Sequence, residues 1–193
     1  MSDHRLPDDH PAGHHPTGDH PTDDHPTGDW STEHRLTIRR AVETDAAALL
    51  AIDQTAWDAS TGFPSYQEII RDSFFARSGP EAHLVAEYDG EVVGYLRLQD
   101  KYPFPEGAGV LAINGLAVAE SARGQGVASA LLAAAAAEGR LRDARKISLH
   151  VHSTNAAARR LYERHGYIVE GTHPNEFLIE GTYIASVDMA KTL

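Results

Sequence analysis

The 193-residue sequence predicts an α/β fold, a three-layer α/β/α sandwich around a mixed, mostly antiparallel sheet. Three observations carry this. The elements read in the order β-α-α-β-β-β-α-β-α-β-β, so a run of strands separates the helices instead of alternating with them. Asp89-Gly90, between HLVAEY (83–88) and EVVGYLRL (91–98), is a strong two-residue hairpin signal that makes part of that run antiparallel. A composition of 41% hydrophobic and 23% charged residues is that of a globular chain with a core.

LTIRRAV (36–42) reads as the first strand. Glu43-Thr44-Asp45 supplies capping residues for an alanine-rich helix over 46–57. Ser65 caps a second helix, with Ile69, Ile70, Phe74 and Phe75 at helical spacing. After the hairpin, Asp100 to Gly109 is a loop with two prolines, and GVLAINGLAV (109–118) is a long apolar strand. A helix opens beyond ARGQG (122–126), and KISLHV (146–151) is the next strand. Ser153 or Thr154 caps a helix running through His165, which Gly166 stops; YIVEGT (167–172) and TYIASVDM (182–189) close the domain as strands.

The domain spans 35–193, and residues 1–34 form a tail. The tail repeats a five-residue unit four times: HPAGH (10–14), HPTGD (15–19), HPTDD (20–24) and HPTGD (25–29). Proline, turn residues and almost no apolar side chains make disorder the expectation. It holds seven of the twelve histidines and a net charge of −7 of the total −11. Loose binding of Ni, Cu or Zn is one reading of the histidines. The repeat imposes no coordination geometry, so a solvated acidic tail is expected and no metal is assigned. The remaining −4 carries no basic stripe, which argues against a nucleic-acid partner. Absent cysteines exclude disulfides, thiolate metal sites and a cysteine nucleophile. The longest apolar stretch, Val127 to Ala137, is too short to cross a bilayer, and the polar N-terminus has no secretory core. Cytoplasmic residence without membrane contact is expected.

Arg123-Gly124-Gln125-Gly126, between an apolar strand and a helix, needs a chemical reason. A helix start has unpaired N–H groups and a partial positive charge, and glycines let an anion approach them. A P-loop would need Lys followed by Ser or Thr, and neither is present. A dinucleotide fingerprint would need a third glycine where Ser129 stands and an acid about twenty residues on, where Lys146 stands.

R-G-Q-G-V-A (123–128) resembles the R/Q-x-x-G-x-G/A loop of the GCN5-related N-acetyltransferase (GNAT) family. TIRRAVETDAAAL (37–49), GLAVAESARGQGVASALL (115–132) and STNAAARRLYERHGYIVEG (153–171) extend the resemblance across the domain. It implies a fold of the GNAT type and an N-acetyltransferase that moves acetyl from acetyl-CoA to a primary amine by direct attack in a ternary complex. The acceptor is a small-molecule or peptide amine. The resemblance places the pyrophosphate on Arg123, Gly124, Gln125, Gly126, Val127, Ala128 and Ser129. It lays the pantetheine arm along Leu116, Ala117 and Val118, which requires the neighbouring strands to splay. Asn155 then bonds a pantetheine amide, and Tyr162, seven residues on and on the same helix face, sits near the sulfur as the catalytic acid. A thiol titrates near ~8.5 and tyrosine near ~10, so proton delivery is uphill by about 2 kcal/mol. The resemblance also implies pairing through the C-terminal strands, so a homodimer is an expectation.

The strand before the loop carries no carboxylate, and Asn114 cannot serve as a base; His150, His152 and, less directly, Glu120 are the candidates. Ala185-Ser186 stands where members of the resembled family often carry an acidic pair, and a different acceptor is the expectation. Trp57, Phe63, Tyr66, Tyr102 and Phe104 suggest a partly apolar acceptor pocket. The alternatives are a non-catalytic acyl-CoA-binding module and a metal-binding protein acting through the tail.

Overall fold

Positive-φ turns fold the sheet back on itself. Asp89 and Gly90 have φ of 52° and 86°, a primed-turn backbone whose twist matches the flanking strands. They join β2 (His83–Tyr88) to β3 (Glu91–Asp100). The computed structural model describes residues 36–58, 61–65, 74–76 and 78–193. The histidine-rich tail, Tyr66 and most of the helix expected after Ser65 lie outside the described residues.

Around that hairpin stand β1 (Leu36–Arg40), α1 (Ala46–Ala56), β4 (Val110–Val118), α2 (Val127–Leu141), β5 (Lys146–His152), α3 (Ala156–Arg164), β6 (Ile168–Ile179) and β7 (Thr182–Thr192). The sheet order is β1-β2-β3-β4-β5-β7-β6. Every neighbouring pair is antiparallel except β4 and β5. On one face α2 and α3 cover Leu96, Leu111, Ile147, Leu149 and Met189. On the other, Leu49 and Ile52 of α1 pack on Val85, Tyr95 and Ala117. Both faces are thereby buried, which makes the three layers. Among the described residues no helix is long and apolar enough to cross a membrane.

Local chemistry departs from the sequence expectations in three places. Asp45 does not cap α1 with its side chain; its carboxylate accepts two bonds from Arg39 (2.7 and 2.8 Å) and one from the Val42 amide (2.8 Å). The Arg39 bonds hold that carboxyl below its ordinary range. Neither Ser153 nor Thr154 caps α3: Asn155 does, its Oδ1 accepting from the Ala158 amide at 3.0 Å. Finally, β6 runs seven residues beyond the expected end at Thr172. Proline ordinarily breaks a strand, but Pro174 is tolerated because β6 is the sheet edge. The chain absorbs it in an irregularity between His173 and Phe177, with Asn175 at φ 55°.

Candidate active site

The parallel pairing of β4 with β5 begins at Val110 and Lys146 and ends at Ile113 and Leu149. A bulge explains the end. Arg97 of β3 faces Gly115 while Leu98 faces Ile113, so Asn114 is the extra residue. The Arg97 Nη2 donates to the Asn114 carbonyl at 2.8 Å and ties the bulge down. Beyond it β4 stays with β3 as far as Val118, while β5 stays with β7 as far as His152. The strands part, and a cavity of about 490 Å³ fills the opening.

The opening exposes backbone as well as side chains. The Ala119 amide donates to the Val93 carbonyl at 2.8 Å. Antiparallel alternation then turns the Ala117 N–H and C=O toward β3, and those of Leu116 and Val118 into the opening. Leu116 and Val118 line the cavity, whereas the Ala117 side chain is buried in the α1 core. The Val118 carbonyl accepts from Arg123 Nε at 3.3 Å, which holds that guanidinium against the end of β4.

Gly124 and Gly126 have φ of 77° and 82°, and a Cβ at either would meet no atom within 4 Å. The backbone therefore demands glycine, and the space in front of the loop is open. Gly126 is the cap of α2, so the amides of Val127, Ala128 and Ser129 precede the first carbonyl that could bond them within the helix. Gln125 bonds the Ser121 carbonyl through Nε2 (2.9 Å) and braces the turn.

The cavity meets both faces of the sheet. On the α3 side it is lined by Ala128, Asn155, Ala158, Leu161 and Tyr162. Asn155 spends its oxygen on the helix cap, leaving its NH2 as the donor. Tyr162 is buried against Tyr167, ring centroids 5.8 Å apart, and burial pushes its hydroxyl up to about 12. On the α1 side the lining includes Trp57, Phe63, Arg97, His150, His152 and Phe177. Buried Asp53 accepts from the Trp57 indole at 2.5 Å and from the Tyr95 hydroxyl, which fixes the indole at the cavity edge. Burial pushes the Asp53 carboxyl up.

Both candidate histidines reach the cavity, in different settings. His150 is exposed, and its Nδ1 lies 2.6 Å from Asp188 Oδ1; His173 Nε2 lies 3.0 Å from the other oxygen. Burial acts to raise the Asp188 carboxyl, but these two bonds together hold it below its ordinary value. His152 is buried between Phe63 and Phe177, with centroids at 4.8 and 5.2 Å. Desolvation lowers its pKa, and its Nδ1 has no partner among the described residues. Glu120 is exposed and does not line the cavity. Tyr102 and Phe104 stack on each other at 5.5 Å on an exposed loop away from it, so the expectation that they face the acceptor fails. Arg97 and Phe177 were not anticipated. A charged residue inside the apolar run EVVGYLRL was the available signal for Arg97, whereas Phe177 was hidden by the premature end read for its strand.

An amide-rich helix start, a splayed strand pair and a cavity through the splay define an acyl-coenzyme-A-dependent transferase, and these groups fit the chemistry of acetyl-CoA. The profile of the Acetyltransferase (GNAT) family matches residues 46–167, and the chain belongs to that family, whose acyl donor is acetyl-CoA. It is 38% identical over 72 residues to GCN5-related N-acetyltransferase 6, chloroplastic, of Arabidopsis thaliana, spanning 37% of this chain and 25% of that protein. It is 29% identical over 143 residues to the uncharacterized N-acetyltransferase YhfO of Bacillus subtilis (strain 168), spanning 68% and 89%. The crystal structure of smu.2055 from Streptococcus mutans UA159 superimposes with a TM-score of 0.68 at 26% identity, covering 81% of this chain and 98% of that one.

Proposed function

We propose that the chain moves an acetyl group from acetyl-CoA to a primary amine by direct attack within a ternary complex. The observation that carries this reading is the single cavity through the β4–β5 opening, which joins the glycine-loop face to the histidine face. An acyl donor on one side and an amine on the other meet there, with no cysteine in the chain to form a thioester intermediate.

Bound acetyl-CoA supplies a carbonyl open to attack and a thiol leaving group. The amides from Gly124 to Ser129 and the Arg123 charge hold its diphosphate. Asn155 and one of the Leu116 and Val118 amides hold the arm; the other amide faces the carbonyl oxygen as charge develops on it. Tyr162 keeps its proton far above neutral pH. With its hydroxyl at about 12 and a thiol near ~8.5, full transfer is uphill by about 5 kcal/mol. That is more than twice the figure for an exposed tyrosine, so Tyr162 serves first as a hydrogen-bond donor to the sulfur.

Asp188 is held ionised and takes the His150 Nδ1–H, which leaves the Nε2 lone pair facing outward. His150 accordingly accepts the proton of the attacking amine. Thiol release from acetyl-CoA across a panel of amines tests the reading. Release that requires an amine and yields its N-acetyl product is expected. Coenzyme A binding with no amine-dependent release would instead make the domain a binding module.

A further inference from the structure

The histidine face carries a charge pattern that the transfer reading leaves unused. Among the described residues lining the cavity there is no Asp or Glu, and Arg97 is the one side chain charged at every working pH. Its position is set by the bulge, where Nη2 donates to the Asn114 carbonyl. Its Nε is buried and has no partner among the described residues. Asp53 feels its field but makes no ion pair with it: its Oδ1 accepts from Trp57 and Tyr95, and it stands behind the cavity wall rather than lining it.

A guanidinium in an apolar cleft favours a planar anion that can use its parallel N–H groups. It repels an ammonium that brings no anion of its own, which disfavours polyamines. Beside it stands an aromatic wall: Phe63 packs edge-on against both His152 and Phe177, each at 4.8 Å, and Trp57 is fixed at the rim. Ser186, opposite His152 on β7, places a hydroxyl there where a carboxylate would compete for the guanidinium.

We infer that the acceptor is a free amino acid with an aromatic or large apolar side chain, its carboxylate held by Arg97 and its side chain by Trp57, Phe63 and Phe177. This rests on the transfer reading of the same cavity. The amino nitrogen gains the acetyl group and loses one proton. The C–S bond breaks, and coenzyme A leaves as the thiol, so the products are an N-acetyl amino acid and free coenzyme A.

The test compares L-phenylalanine, L-phenylalaninamide and 2-phenylethylamine on the full chain and on Arg97→Gln and Arg97→Lys. The readouts are kcat/KM from thiol release and the fluorescence of Trp57, one of two tryptophans. The amide has the less basic amine, so a preference for the acid cannot come from amine ionisation. The wild type is expected to favour the acid by about tenfold or more, through KM. Arg97→Gln should bring the three within about twofold by losing most on the acid, beyond any common loss from loosening the bulge, and Arg97→Lys should keep part of the preference. Equal use of the three by the wild type overturns the inference, whether or not the variants fold. So does an equal loss on all three in Arg97→Gln. Should no amine be acetylated while L-phenylalanine still quenches Trp57 in an Arg97-dependent way, transfer falls and the carboxylate site stands. With neither acetylation nor quenching, both fall.

Discussion

On the α2–α3 side of the sheet, what the cavity offers a ligand is largely backbone: the loop amides, the Leu116 and Val118 edge of β4, and the Asn155 amide at a helix cap. On the α1 side it is side chains gathered from β3, β5, β6, β7 and the segment after α1. Backbone recognition needs a few residues in one stretch, because conformation does the work. Side-chain recognition draws single residues from many elements and can change without disturbing the fold. The first arrangement suits a constant co-substrate and the second a variable acceptor.

The largest expected effect lies on the backbone side. Gly126→Val puts a β-branched residue at φ 82° and a side chain into the anion's path. With several charge-assisted bonds at stake, acetyl-CoA affinity should fall about a hundredfold by calorimetry. Tm should drop only by what roughly 1–2 kcal/mol of left-handed strain explains. Unchanged affinity would mean that the loop holds no diphosphate. Tyr162→Phe should lower kcat about thirtyfold and leave acetyl-CoA affinity alone; a change in affinity without one in kcat would move Tyr162 from chemistry to packing. Across the opening, His150→Gln should cut kcat/KM about tenfold near neutral pH, with partial rescue by added imidazole. Asp188→Asn should act in the same direction.

The two sides also differ in their response to pH. Tyr162 has a raised pKa, so its contribution to stability is complete below about 10 and is lost as pH climbs toward 12. Denaturant unfolding should show about 2–3 kcal/mol disappearing over that interval, and less in Tyr162→Phe. His152 has a lowered pKa, so its contribution is present above the ordinary histidine value near ~6.5 and declines as pH falls below it. His152→Phe should flatten that acid slope. The smallest effect concerns Gly139 in α2, where a Cβ would lie 2.5 Å from Leu193 Cδ1. Moving the end of that C-terminal side chain is cheap, so Gly139→Ala should stay within about 1 kcal/mol of wild type, helix propensity offsetting the shift.

The contrast explains what could be read from the sequence. The hairpin at Asp89-Gly90, the glycine loop and the pair Asn155 and Tyr162 are short-range patterns, and each stands in the cavity or on the frame that forms it. The opening between β4 and β5 was a requirement without a visible cause, because its cause is the long-range Arg97–Asn114 contact at a bulge. Arg97 and Phe177 reach the cavity, and Asp188 reaches His150, only through pairing between strands distant in sequence. Tyr102 and Phe104 failed for the complementary reason: an aromatic near a loop tip says nothing of which way the loop faces.

Initial rates with acetyl-CoA and an amine varied together put the shared cavity to its most direct trial. Lines that intersect in double-reciprocal form, with no thiol burst before the amine is added, are expected if both substrates occupy it together. Parallel lines, or a stoichiometric burst from acetyl-CoA alone, would mean that the acetyl group first joins the protein, and direct transfer through the opening would be wrong.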